Sequence, residues 1–287
     1  MGDRVLAVVG RGIVEITTPV LRADLLGVTR GDGVFETMRV RGRRPFLLEA
    51  HLQRMLAGAA RVGLTLPTAQ QWHQTLEPAL AAYGDQLGLL RLYTLRGTDS
   101  LDAPFSYVLL SPIQDSTLAS GRDGTHAVTL TLGITAAARA DAPWLLGGVK
   151  TTSYAAAMAG KRESEQRGAT DAIWISSDGE VLEEATSTVV WVAGGAAYTT
   201  PAATGILAGT SLQCLRDLAP VTGVAIHDRR TSVDELRAAD EILLLSSVRG
   251  VASVLTLDGV PVGAGRPGPV GTALHAAFEE AFTAATD

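Results

Sequence analysis

Apolar residues in this chain change their period repeatedly, which restricts it to a mixed fold. Val34–Val40 alternates with the two-residue period of a strand, directly after the turn signal Gly31-Asp32-Gly33. Gly42 and Pro45 close that run as a hairpin. From Leu48 to Val62 the apolar positions fall at helical spacing. Residues 69–83 read as a second helix, and Val5–Val9, Ile13–Ile16, Leu89–Leu95 and Ser106–Leu110 as strands. Residues 111–124 are polar and turn-rich, which predicts a linker at 113–124. Beyond it, Val128–Leu132 and Ala172–Ile175 read as strands, and Tyr154–Arg167 as a helix capped by Gly168. Val181–Val192 reads as antiparallel strands with tight turns. Helices near 209–218 and 233–238, a strand at Glu241–Ser246, a hairpin at Asp258-Gly259 and a helix from about Thr272 complete the chain. The pattern predicts an α+β protein of two domains, 1–112 and 125–287.

Composition narrows the function classes. The chain has 287 residues, 46% of them hydrophobic, and a net charge of −6. That balance argues against nucleic acid or an anionic membrane as the main partner. No apolar run is long enough to span a bilayer, and the N-terminal stretch lacks the apolar core of a signal peptide. One cysteine, Cys214, excludes an internal disulfide. A cytoplasmic location is expected. His51, His73, His126, His227 and His275 are scattered without partner cysteines, so no metal site is expected. There is no G-x-S-x-G elbow and no Walker A loop. Gly263, Gly265 and Gly268 spell G-x-G-x-x-G, but Pro267 and Pro269 flank the last glycine, a context for a plain loop.

Four features carry chemistry. The chain has 22 arginines but only two lysines, Lys150 and Lys161. Arginine stays protonated and cannot form a Schiff base, so a surviving lysine is a candidate for chemistry that arginine cannot do. Lys150 sits among small and apolar residues, where an amine loses its proton more readily; the alternative is a snorkelling lysine. Lys161 lies in a polar helical stretch. Glu183 and Glu184 are adjacent acids in a strand-like run, one per face. One can be solvated and the other needs a partner, such as a pyridinium N–H; two exposed acids on an edge strand remain the alternative. Arg54 shares a helix face with His51 and can clamp a phosphate, or is an ordinary boundary arginine. Gly205–Ser211 leads into a helix N-terminus rich in hydroxyls, a ready anion site or a simple cap.

In this order the features resemble the class IV aminotransferases, the fold-type IV pyridoxal-phosphate (PLP) enzymes. The segments that carry the resemblance are Arg30–Thr37, His51–Arg54, Lys150 with the following helix, Asp178–Val190, Gly205–Ser211 and Ser246-Ser247. The resemblance implies a two-domain fold like that of D-amino-acid aminotransferase, with PLP at the domain interface, in a homodimer. It implies that Lys150 carries the cofactor and moves protons, and that Glu183 pairs with the pyridine nitrogen. Arg54, Thr210, Ser211 and Ser247 would hold the phosphate.

Within the family, Lys150 is followed by Ser153 and Tyr154. The Lys-x-x-Asn spacing of the lyase and D-amino-acid enzymes fits better than the branched-chain pattern, with Ser replacing Asn. No Arg-x-His carboxylate trap follows Arg96-Gly97. Lys150–Ala155 looks most like 4-amino-4-deoxychorismate lyase, which yields 4-aminobenzoate and pyruvate for folate synthesis. The expected substrate is a small anionic molecule met by Phe35, Arg96, Tyr154 and Arg249, with a surface or structural role as the alternative for Arg249. An aminotransferase for branched-chain or D-amino acids is the alternative, and a non-catalytic PLP-binding or structural protein a distant one.

Overall fold

A computed structural model gives the structure of residues 4–99 and 103–287. The chain divides into two compact units. One comprises Met1–Gln114, Val149–Tyr154 and Phe282–Asp287, and the other Asp115–Gly148 and Ala155–Ala281.

The first unit is built on alternation. Strands β1 (Val5–Val8), β2 (Gly12–Val14), β3 (Gly33–Arg41), β4 (Arg44–Pro45), β5 (Gly88–Leu95) and β6 (Phe105–Ser111) form one sheet in the order β2-β1-β6-β5-β3-β4. All its pairings are antiparallel. Successive side chains point to opposite faces, so Val34, Met38 and Val40 join Leu90, Leu92, Val108 and Leu110 on one face. Helices α2 (Leu48–Arg61) and α3 (Ala69–Tyr83) supply Met55, Ala59, Trp72, Leu76 and Ala79 to the same core; α1 (Leu26–Thr29) is one short turn. A capping box starts α3: Thr68 Oγ1 accepts from the Gln71 N–H at 3.2 Å, and Gln71 Oε1 accepts from the Thr68 N–H at 2.9 Å. The opposite sheet face carries Phe35, Tyr93 and Tyr107, which lie directly across from one another.

The second unit contains α4 (Asp115–Asp123), β7 (Thr125–Thr131), α5 (Ala138–Asp141), α6 (Ala155–Gln166), β8 (Asp171–Ile175), β9 (Val181–Glu184), β10 (Thr188–Ala193) and β11 (Ala196–Thr199). It continues through α7 (Thr210–Asp217), α8 (Ala219–Thr222), β12 (Ile226–Asp228), α9 (Val233–Arg237), β13 (Glu241–Ser246), β14 (Gly250–Leu257) and β15 (Val260–Pro261). The helix α10 (Pro269–Thr286) ends it, with its last turn counted in the first unit. The sheet runs β12-β11-β10-β13-β14-β7-β8-β9, with β15 beside β14. The β14–β7, β7–β8 and β11–β12 pairs are parallel. Trp191, Ile173, Leu244 and Leu236 anchor its main core. No described helix is long and apolar enough to cross a membrane.

Three expectations need correcting. The segment read as a linker carries α4, because its polar residues occupy a one-sided helix and buried Gly121 packs tightly beside the Arg249 carbonyl. Lys150, expected in the C-terminal domain, is in the first unit, because Val149–Tyr154 hydrogen-bonds beside β3. The final helix begins at Pro269, whose missing N–H suits the first turn.

Candidate functional site

The Lys150 segment is seated by glycines. Thr151 bridges antiparallel to Val34, the Phe35 N–H donates to the Lys150 carbonyl at 3.1 Å, and the Thr152 N–H donates to the Gly33 carbonyl at 2.9 Å. The hydroxyls of Thr152 and Ser153 both donate to the Gly31 carbonyl, at 2.8 and 3.0 Å. A Cβ on Gly31 would meet Ser153 Oγ at 2.8 Å, and one on Gly33 would meet Thr152 Oγ1 at 2.9 Å. Gly31 also has φ +67°, open to glycine at no steric penalty. The turn signal read from the sequence is therefore the cradle of the lysine strand.

The Lys150 ammonium lies 4.5 Å from the Phe35 ring centroid and donates to the Tyr154 hydroxyl at 3.2 Å. Phe35 meets Tyr154 edge-on at 5.2 Å and stacks on Tyr93 at 5.6 Å, and Tyr93 stacks on Tyr107 at 4.7 Å. Three of the sequence-derived residues, Lys150, Phe35 and Tyr154, are thus brought together.

On the other face of β3, Glu36 is fully buried among apolar neighbours. Arg54 grips it with two bonds of 2.7 Å, from Nε to Oε1 and from Nη2 to Oε2. His51 Nδ1 lies 2.6 Å from Oε2. Burial pushes the Glu36 carboxyl up, but the bonds from Arg54 and His51 outweigh it and hold it at about 2. Burial lowers the His51 value, and the Arg54 and Lys150 charges add to that. His51 is therefore neutral, and because ionised Glu36 can only accept, its proton sits on Nδ1. Sequence reading singled out Arg54 but missed Glu36. Its signal was present: an acid on the apolar face of an alternating strand needs a cation.

Arg96 does not face a ligand with its guanidinium. Nε donates to Asp32 at 2.7 Å, Nη2 to the Val62 carbonyl at 2.5 Å, and Nη1 to the Gly63 carbonyl at 3.2 Å. It pins the end of α2 to the Gly31–Gly33 turn, so its expected role as a substrate carboxylate binder is not supported. The residues after it that lack the Arg-x-His trap include Ser100, Leu101 and Asp102, which lie outside the described residues.

In the second unit, Glu183 is mostly buried and doubly held. Oε1 accepts from Arg139 Nη1 at 2.7 Å, and Oε2 accepts from the Leu207 N–H at 2.9 Å. Gly147 and Gly205 make room for the backbone at Arg139; a Cβ on either would fall within 3 Å of it. Thr210 Oγ1 lies 3.1 Å and Ser211 Oγ 3.5 Å from Ser247 Oγ, at the N-terminus of α7. The N-cap, Gly209, has no side-chain cap bond and would clash with Thr188 Oγ1 if it carried a Cβ. Three hydroxyls and a helix N-terminus form a surface suited to an anion.

Arg249 is also committed elsewhere. It pairs with Asp171 through both nitrogens, at 2.9 and 3.0 Å, and donates to Ser187 Oγ at 3.1 Å. Its expected role with substrate is replaced by a buried structural one. Glu184, the second of the adjacent acids, is buried beside this pair and accepts from the Thr186 N–H and hydroxyl. Burial and the neighbouring Asp171 push its carboxyl up. Both acids of the pair therefore have partners, Glu184 in the buried cluster and Glu183 with Arg139.

Each unit offers groups that fit PLP: the first a lysine in an aromatic setting, the second a carboxylate paired with an arginine and a hydroxyl-lined helix end. Fold and site define a fold-type IV PLP-dependent enzyme. The chain belongs to the class IV aminotransferase family, whose model matches residues 33–257. It is 39% identical over 258 residues to the bifunctional aminodeoxychorismate lyase / D-amino acid transaminase of Mycobacterium tuberculosis, covering 86% of this chain and 89% of that one. It is 27% identical over 263 residues to the D-alanine aminotransferase of Listeria monocytogenes, covering 90% of each. A solved structure of a hypothetical aminotransferase from Mycobacterium tuberculosis in a PLP-bound form superposes with a TM-score of 0.90 at 36% identity, covering 98% and 99% of the chains.

Proposed function

We propose that this enzyme is a 4-amino-4-deoxychorismate lyase, releasing 4-aminobenzoate and pyruvate, with D-amino-acid transamination as a second activity. The observation that carries this reading is the Lys150–Tyr154 segment. Its Ser153 stands where the lyase pattern has Asn, and its hydroxyl is used to seat the segment on Gly31. The 39% relative, whose name joins the two activities, supports the pairing.

PLP supplies an electron sink for charge that develops at the amine-bearing carbon. The chain's own residues do the rest. Lys150 binds the cofactor, then takes the proton from that carbon of the substrate. The Tyr154 hydroxyl, 3.2 Å from the amine, holds it in place between proton transfers. Glu183, paired with Arg139 at 2.7 Å, would hold the ring nitrogen. Thr210, Ser211, Ser247 and the α7 N-terminus bind the phosphate with Arg54. Glu36 fixes one edge of the Arg54 guanidinium so that it cannot swing away. In the lyase reaction the substrate ring aromatises as the C–O bond to pyruvate breaks. A cytoplasmic homodimer is the setting this reading expects.

The test is direct. Purified protein with PLP should turn aminodeoxychorismate into 4-aminobenzoate, and Lys150→Ala should lose both the visible cofactor band and the product. Good transamination of D-alanine with no 4-aminobenzoate would leave only the second activity. A protein that gains no visible band with PLP would overturn both.

A further inference from the structure

With Arg96 and Arg249 spent on Asp32 and Asp171, the cation that receives a substrate carboxylate must come from elsewhere. We propose that Arg91 receives the substrate's carboxylate, with the Tyr93 hydroxyl as a second donor; this rests on the PLP reading above. Arg91 lies on β5, on the sheet face that carries Phe35 and Tyr93 rather than the core. It sits directly opposite Thr37 and two residues along from Tyr93, whose ring stacks on Phe35. Phe35 in turn lies under the Lys150 amine at 4.5 Å. From strand spacing and rise, the Arg91 Cα is roughly 8 Å from that of Phe35, within the span of an extended arginine side chain.

Arg91 is half-buried, and no carboxylate among the described residues pairs with it. Its one hydrogen bond there is from Nη1 to the Ser111 hydroxyl at 3.0 Å. Such a guanidinium keeps donors available for a planar anion. On the same face Arg39 and Arg41 lie farther along β3, against the Phe282 ring at 4.5 and 4.7 Å, and Arg44 on β4 is opposite Arg41. Burial raises the Tyr93 hydroxyl value, so it keeps its proton and can donate. An α-amino acid whose amine lies beside Lys150 carries its carboxylate one carbon from that amine, and the aromatic row leads from there toward Arg91. The inferred ligand class is an α-amino acid or an anionic amine of similar reach.

The experiment compares wild-type holoenzyme with Arg91→Leu and the milder Arg91→Gln. Three quantities are read: the KM for whichever of D-alanine and aminodeoxychorismate is turned over, inhibition by propionate, and PLP affinity from the visible band. Propionate is alanine without its amine, so it reports the carboxylate contact alone. Both variants should raise KM roughly 10- to 100-fold, the range for losing a charge-assisted bond, weaken propionate inhibition by a similar factor, and keep wild-type PLP affinity. KM and propionate inhibition within twofold of wild type, with a normal band, would overturn this inference alone. A wild-type protein that forms no band would remove the cofactor reading and this inference with it.

Discussion

The molecule buries two carboxylate–arginine clusters, and they are balanced differently. In the first unit one acid, Glu36, faces one arginine, Arg54, and a neutral His51. The charges match, and Glu36 is held at about 2. In the second unit two acids, Asp171 and Glu184, share one arginine, Arg249. Asp171 takes the bidentate bond and is lowered despite its burial, because Arg249 outweighs it. Glu184 is raised by its burial and by Asp171. A single guanidinium can hold one buried carboxylate ionised; a second beside it is driven toward its neutral form. The first cluster is suited to fixing a charge near Lys150, and the second to holding β8, β9 and the end of β13 together.

That contrast can be broken at several points. Arg249→Leu should be the most damaging, since it leaves Asp171 buried without its cation; a loss of about 3–5 kcal/mol is expected, read by urea unfolding. Glu36→Gln keeps the shape but removes the charge that Arg54 grips, and should lose about 2–3 kcal/mol, read the same way. A larger loss from Glu36→Gln than from Arg249→Leu would contradict the contrast drawn here. Glu184→Gln should be the mildest, a change of about 1 kcal/mol, because burial and Asp171 already favour the neutral form of the carboxyl it replaces.

Glu184 should also respond to pH with the opposite sign to Glu36 and Asp171, whose values are lowered. His51 has a folded value below its ordinary 6.5, so below pH 6.5 the unfolded chain takes up a proton that the folded chain refuses. Its contribution is complete above 6.5 and is lost as pH falls. The Glu36 contribution is complete above 4.5 and is lost as pH falls toward about 2. Glu184 is raised, so its contribution is complete below 4.5 and is lost as pH rises through the folded value. Glu184→Gln should therefore gain on wild type in thermal melts as pH rises above 4.5. A constant difference across that range would mean that Glu184 does not titrate there.

Much of the fold was legible in local pattern. Alternation located β3 and helical spacing located α2, while β5 and β13 were read as strands from apolar runs that are buried along most of their length. The polar stretch before β7 was misread, since a helix whose exposed face is polar has no strong apolar stripe to announce it. Lys150, Glu183 and the hydroxyls near α7 were legible as residue types in unusual settings. The roles of Arg96 and Arg249 were not legible for a physical reason: an arginine has the same side chain whether it meets a ligand or an internal acid, and only the position of Asp32 or Asp171 decides.

The sequence by itself determined which chemistry is available: two lysines against 22 arginines left few candidates for Schiff-base chemistry, and the order of motifs specified the family. Tertiary structure decided which charges are spent and which remain for a ligand. Pairing depends on segments far apart in the chain, such as Asp171 with Arg249 and Asp32 with Arg96, and no local periodicity encodes such distances. It also decided where the lysine belongs, because Gly31 and Gly33 draw the Lys150 strand onto β3 by leaving space that any side chain would fill.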